Sequence, residues 1–484
     1  MDRPNLLVFM TDHQRGDTVL AEHPCLTPNL DRFAAEGVAF TEAYCPTPHC
    51  CPSRATFFTG LYPSGHGVWN NICNRQALST GLNPRVRLWS EDLAAAGYDL
   101  HFSGKWHVSV EESPEDRGWT EHFLSGAAGT HHGVTWDHYE KEASEPEPER
   151  RGEGEILRPG YGTYRLYGPG GDEGNRHDET AVSRGLEALD SLGGRREPWG
   201  LYVGAIAPHD PYVVPQRYLD LYDLDRVPLP ASYGDAMEDK PRIYQRLRQA
   251  RFGQLSGREV REGIRHFWAY CSYLDDLFGR LLAGLEETGH AENTVVVYCA
   301  DHGDYCGEHG LFAKGIPSFR GAYHIPAVVR WPAGIARPGR RVAELVSLAD
   351  FGPTFLDLAG IRTDRHFTGR SLAPFLRGEA PPAWRDAIHT QCDGVELYYT
   401  QRSVRTRDWK YVFNGFDRDE LYDLRADPDE MVNREADPAC EAVKRELCGR
   451  LWRFAREEDD TAINPYITVG LAPYGPAEGF RSGT

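Results

Sequence analysis

The 484-residue sequence predicts an α/β fold: a large central, mostly parallel sheet flanked by helices, followed by a smaller C-terminal α+β domain. Three observations carry this reading. Four short apolar runs are nearly continuous rather than alternating, as expected of strands buried on both faces. Helix-like segments separate those runs. Beyond about residue 380 the runs become short and alternating, which is the pattern of an antiparallel sheet.

In chain order, the first strand runs from Asn5 to Met10 and leads into Thr11-Asp12-His13, followed by a helix over Asn29 to Glu36. Pro52 suits a first helical turn, where its missing N–H costs nothing, so a helix begins near Cys50. Negative charge is favoured at such a helix end. A helix over Leu88 to Ala96 precedes the second strand, Tyr98 to Phe102, which ends at Ser103-Gly104-Lys105-Trp106-His107. Residues 107–178 are rich in Gly, Pro and Glu, with Glu145-Pro-Glu-Pro-Glu-Arg-Arg151 and Tyr167-Gly-Pro-Gly-Gly171. They lack periodicity and read as a long loop insertion. Helix Glu179 to Leu192 follows, then strand Leu201 to Ala207 running into Pro208-His209-Asp210. A long helix, Glu259 to Glu287, precedes strand Thr294 to Cys299, which ends at Ala300-Asp301-His302-Gly303. Residues 1–375 form the catalytic domain on this reading, and residues 376–484 the small one. The latter has strands at Asp386 to Gln391, Tyr398 to Val404, Trp409 to Phe413 and Glu420 to Leu424, then an amphipathic helix, Ala439 to Glu457. There are no internal repeats. In parallel sheets ligands bind beyond the carboxyl ends of the strands, and all four polar clusters stand there.

Composition narrows the function. The formal net charge of −19 argues against a nucleic-acid or anionic-membrane binder, so an anionic substrate must meet a local cationic pocket. The run Leu6 to Met10 is too short for a signal-peptide core or a membrane span, and a soluble, cytoplasmic protein is expected. The 11 cysteines include no CxxC pair, which removes zinc ribbons and thioredoxin motifs and leaves reduced, buried thiols. Lysine is scarce, at 105, 141, 240, 314, 410 and 444 only, so a lysine at a strand end asks for a reason.

The most specific stretch is Cys50-Cys51-Pro52-Ser53-Arg54-Ala55-Thr56-Phe57-Phe58-Thr59-Gly60. It resembles the signature of the formylglycine-dependent type I sulfatases of the alkaline phosphatase superfamily, and the resemblance covers nearly the whole chain. It implies an alkaline phosphatase-like fold and conversion of the first motif cysteine to formylglycine by a formylglycine-generating enzyme. A geminal hydroxyl of the hydrated aldehyde then attacks sulfur. Pro two residues and Arg four residues on make Cys50 the modified residue and Cys51 a bystander. The chemistry accounts for the modification. A serine would be left as a stable sulfate ester, whereas the second hydroxyl of a hydrate expels sulfate.

The resemblance also implies one divalent metal ion held by Asp12, His13, Cys50, Asp301 and His302, with calcium the default and manganese or magnesium open. His13 stands where the family commonly has a second acid, and is either a nitrogen ligand or a neighbour of the ligands. Lys105, His107, His209, Lys314 and Arg54 would hold the sulfuryl oxygens and move protons. His209 is the general acid for the leaving oxygen, and His107 assists collapse of the hemiacetal sulfate. Asn71, in Gly65-His66-Gly67-Val68-Trp69-Asn70-Asn71, is either a substrate contact, as in the related phosphonate monoester hydrolases, or a turn residue. His131-His132 are read as uninvolved in substrate contact. Glu420 to Pro428 resembles a structural hallmark of the family's C-terminal domain. The tail Pro465 to Thr484, with Tyr466 and Tyr474, shapes the leaving-group side or a subunit contact.

The expected function is hydrolysis of a small-molecule sulfate monoester to alcohol and sulfate. The runner-up is a phosphonate monoester or phosphodiester hydrolase with the same nucleophile, favoured by His13 and Asn71 and opposed by Lys105 and His107. The third reading is a non-catalytic anion-binding relative whose Cys50 is never converted. The chain's acidity disfavours long polyanionic substrates. A homo-oligomer stays open; nucleic acid and membrane are not expected partners.

Overall fold

The structure, a computed structural model, describes residues 3–73, 76–125, 136–144, 150–158, 162–395 and 397–481. Its centre is an eight-stranded sheet. In chain order the strands are β1 (Asn5–Thr11), β2 (Val38–Phe40), β3 (Asp99–Lys105), β4 (Thr120–Ser125), β5 (Trp199–Gly204), β6 (Thr294–Ala300), β7 (Ala327–Arg330) and β8 (Arg340–Val342). Across the sheet the order is β8-β2-β7-β6-β1-β5-β3-β4, and β7 alone runs against its neighbours. The apolar runs of the sequence are its middle: every residue of β1, β5 and β6 is buried.

Register explains why the polar clusters meet. Thr11 of β1 pairs with Ala300 of β6, so Asp12 and Asp301 leave the sheet side by side. Met10 pairs with Gly204, and Gly204 with Gly104, which brings Lys105 and the segment after β5 to the same edge. Strands β3 and β5 approach closely here: a Cβ on Gly104, whose φ is +109°, would lie 2.0 Å from the Gly204 carbonyl oxygen.

Helices cover both faces. Helix α1 (Pro28–Ala35) and the capped helix α5 (Gly257–Glu287) pack together, and α4 (Arg176–Leu192) packs on β3 and β5, its Gly185 against Val203. Tyr202 and Phe102 point the other way and stack at 4.7 Å beneath helix α2 (Cys50–Thr59). Phe57 and Phe58 of α2 are wholly buried among these rings, Trp89 of helix α3 (Trp89–Ala95), and Phe351 and Phe355 of helix α6 (Phe351–Leu358). That aromatic bed fixes the depth of α2. Gly60, at φ +71°, ends the helix and returns its amide to Thr56 O at 2.8 Å.

The insertion is more structured than its composition suggests. Thr120–Ser125 is the edge strand β4, and Glu155–Arg158 pairs with Gly162–Arg165 as a hairpin. His131 and His132 lie outside the described residues.

A four-stranded antiparallel sheet follows: β9 (Ile388–Cys392), β10 (Gln401–Arg405), β11 (Trp409–Phe413) and β12 (Glu420–Asp423). Helix α7 (Glu441–Glu457) packs on it through Leu447, Cys448 and Leu451. Part of the tail returns to that helix rather than reaching the site, with Trp452 Nε1 donating to Tyr474 O at 2.7 Å. Among the described residues no helix is long and apolar enough to cross a membrane. None of the 11 cysteines forms a disulfide, and ten are buried.

Candidate active site

Cys50 is the first residue of α2 and is 2% exposed, at the helix end where unpaired amides favour negative charge. Its Sγ, standing where an oxygen of a modified residue would stand, lies 3.1 Å from Lys314 Nζ, 3.3 Å from His302 Nε2 and 3.6 Å from Asp12 Oδ1. Burial pushes the thiol up, but Lys105, Lys314 and His302 outweigh it and hold Cys50 well below the usual thiol range.

Asp12, Cys50, Asp301 and His302 are all buried, with one potential ligand atom of each within 4.8 Å of the others. His302 Nδ1 is 2.9 Å from the Gly303 carbonyl, which leaves Nε2 facing the cluster. Burial and Cys50 push Asp12 up, yet Lys105, His209 and Arg54 keep it below the carboxylate range. Burial and the neighbouring Asp12 raise Asp301 against Arg54 and His302. Two carboxylates and an imidazole turned to one buried point are a donor set for a divalent cation, and the cation would relieve their burial.

Arg54 departs from the expectation that it holds substrate oxygens. It is wholly buried beneath Cys50, its Nε donating to Asp301 Oδ2 at 2.7 Å and its Nη1 to Lys105 O and Tyr202 Oη at 3.1 and 3.0 Å. Its Nη2 lies 3.5 Å from Asp12 Oδ2. Arg54 therefore orients the carboxylates rather than a ligand. Lys105 also binds Asp12 directly.

The rest of the expected set surrounds Cys50 on its other side. His13 is sandwiched: its ring stacks on His209 with centroids 4.1 Å apart, Nδ1 sits 3.2 Å from Asp304 Oδ2, and Nε2 faces Lys314 Nζ. That network assigns the proton to Nδ1. Burial, Lys314, His209 and His302 all hold His13 well below the usual histidine range, so it is neutral. His209 is 31% exposed on its side chain, 3.4 Å from Lys314 Nζ and 3.3 Å from Asp210 Oδ1. Burial and Lys314 pull it down, but Asp210, a hydrogen bond to Cys50, and Asp12 bring it up to about 9 in the unmodified chain. His107 Nε2 lies 3.0 Å from Cys73 Sγ; burial and Lys105 pull the ring down, but Cys50 and Cys73 raise it above the usual histidine range. His13, His107 and Ala313 are non-glycine residues at φ +70°, +60° and +59°, backbone strain gathered around one point.

Asn71 stands beside the amino end of α2. Its Oδ1 accepts from the Cys51 amide at 3.2 Å and so caps the amino end of α2. Sequence reasoning also missed four contributors. Asp304 and Tyr212 support His13, with Tyr212 Oη donating to Asp304 Oδ2 at 2.7 Å. Tyr202 supports Arg54, and Tyr164 of the insertion hairpin bonds Asp210. Asp304 closes the string Asp301-His302-Gly303-Asp304, so a signal for it was present; Tyr164 carried none. Scarcity of lysine proves a weak guide, because Lys240, Lys410 and Lys444 are also buried, in ion pairs with Asp235, Glu430 and Glu435.

Comparison with known proteins agrees with this geometry. The sulfatase family model matches residues 4–361, and that for the N-sulphoglucosamine sulphohydrolase C-terminal region matches residues 307–457. An uncharacterized sulfatase, YidJ, of Escherichia coli is 29% identical over 90% of this chain and 83% of its own. The choline-sulfatase of Rhizobium meliloti shows the same identity and coverage, 29%, 90% and 83%. Among solved structures, the phosphonate monoester hydrolase of Agrobacterium radiobacter superposes with a TM-score of 0.76 at 24% identity, covering 94% of this chain and 96% of that one. The fold is thus shared with sulfatases and phosphonate monoester hydrolases alike. The family match runs from the first strand past Asp301 and Lys314, and on that ground the chain belongs to the sulfatase family.

Proposed function

We propose that the chain hydrolyses small sulfate monoesters to an alcohol and inorganic sulfate, with Cys50 converted to formylglycine by a formylglycine-generating enzyme. One observation carries it: a buried cysteine at a helix amino end with Asp12, His302 and Lys314 within 3.6 Å of its sulfur. Converted and hydrated, Cys50 supplies one hydroxyl to attack sulfur and a second whose deprotonation releases sulfate. A divalent ion fits Asp12, Asp301, His302 and the Cys50 oxygen, and would lower the cost of ionising that oxygen near neutral pH. Hard oxygen donors favour calcium, magnesium or manganese.

The chain's own side chains do the rest. Lys314, 3.1 Å from the sulfur of Cys50, and Lys105, paired with Asp12, hold sulfuryl oxygens as compact point charges. His209, protonated and partly exposed, donates to the leaving oxygen. His107, whose ring is raised by its interaction with Cys50, takes the proton of the second hydroxyl. His13 positions Lys314 and His209; its ring nitrogens are committed to Asp304 and Lys314. The relatives named choline-sulfatase and, in Clostridium perfringens, arylsulfatase support a small alcohol portion.

Parallel assays of an aryl sulfate and an aryl phosphonate monoester test the ranking. The sulfate is expected to have the larger kcat/KM, and a larger value for the phosphonate overturns the proposal. Asn71, one of two residues leaning toward the phosphonate reading, uses its Oδ1 to accept from the Cys51 amide.

A further inference from the structure

A second group of ligating side chains lies beside the first and shares none of its carboxylates. Cys51, Cys73 and His107 each place one donor atom within 4.8 Å of the others. Both thiols are buried, Cys51 completely and Cys73 at 5% exposure. His107 Nε2 is 3.0 Å from Cys73 Sγ, and φ +60° at His107 fixes the ring's origin. The aromatic bed beneath α2 fixes Cys51 in turn, because Phe57 and Phe58 hold that helix in depth.

The two neighbouring clusters differ in chemistry. Asp12, Asp301 and His302 offer mostly hard oxygen, whereas two sulfurs and one imidazole are a soft set with a fourth position left for solvent. Two thiolates and a neutral imidazole around a divalent ion sum to zero charge, which suits a buried place.

We propose that Cys51, Cys73 and His107 form a second metal site, selective for a thiophilic divalent cation such as Zn2+, and that its occupation withdraws His107 from Cys50. On binding, each thiol S–H bond breaks, its proton passes to solvent and a sulfur–metal bond forms, while His107 gives its Nε2 lone pair. Zinc then inhibits without touching the ligands of the first site. The inhibition rests on the role given to His107 above; the binding does not.

Cobalt(II) is the probe, because thiolate coordination gives it an intense charge-transfer absorption that oxygen ligands do not. Titrated into the metal-stripped protein, it is expected to give this band in wild type, in Cys50→Ala and in Asp301→Asn, and to give none in Cys51→Ala or Cys73→Ala. With the first site saturated by its own metal, zinc is expected to slow wild-type turnover about tenfold or more and to spare Cys73→Ala. Turnover of both cysteine variants without zinc reports their folding, and either one alone decides the assignment. Absence of the band in wild type, or its survival in a folded Cys51 or Cys73 variant, overturns the site. A band without inhibition overturns the withdrawal of His107. An active Cys50→Ala would overturn the sulfatase reading while leaving the cobalt result untouched.

Discussion

Arg54 and Arg402 are both buried arginines held by pairs of aspartates, one under the head of the central sheet and the other in the C-terminal antiparallel sheet. Arg402 meets Asp460 through Nε at 2.6 Å and Nη2 at 3.1 Å, and Asp393 at 3.3 Å. The remaining capacity of Asp460 goes to Gln391 and the Ala462 amide. Every partner there is spoken for. Arg54 instead engages one oxygen of Asp301, whose other oxygen accepts from the His13 and His302 amides, and one of Asp12, whose other oxygen faces Cys50 and His302. Both clusters use the same residue types at the same burial. What separates a strut from a site is whether the lone pairs close on one another or are aimed together at a common point.

That contrast can be broken in several ways. The largest effect belongs to the point itself: Cys50→Ala is expected to lower kcat/KM by about 10^4-fold or more, and Cys51→Ala to change it little in zinc-free buffer. Steady-state assays of both would expose a wrong motif register if the order reversed. Next, Arg402→Ala should cost about 3–5 kcal/mol of stability, since it leaves two buried carboxylates unpaired. Urea unfolding measures it, and the fraction still folded should turn over at the wild-type rate. If activity fell with stability unchanged, the distinction drawn here would fail. Arg54→Lys removes the fork that orients Asp12 and Asp301, so affinity for the supporting divalent metal should drop roughly 10–100-fold, as read by calorimetric titration. Smallest is Asn71→Ala, which takes a cap from α2 and should cost about 1 kcal/mol with an unaltered KM. A large rise in KM would return Asn71 to the substrate.

Much of this is legible in the sequence alone. The apolar runs ending at Asp12, Lys105, His209 and Asp301 gave the sheet and its working edge, because a doubly buried parallel strand has no polar residue until it emerges. Direction was harder to read. Arg54 follows Cys50 by four residues, one helical turn, so it shares the face of the nucleophile but lies a turn deeper, and a motif records spacing without depth. The edge strand Thr120–Ser125 was invisible because no residue of it is buried, and its composition is that of a loop. Asn71 reaches back 20 residues to cap Cys51, a partnership that only the fold creates.

Cys50 is shut in by residues synthesised far later, since Asp301, His302 and Lys314 lie more than 250 positions downstream. On the conversion proposed above, the enzyme that remakes this thiol would need to grasp the chain around it, and the finished molecule offers no handle there. Maturation would then race assembly. A chain that completed its sheet first would be sealed with an unworked sulfur inside, correctly shaped and idle.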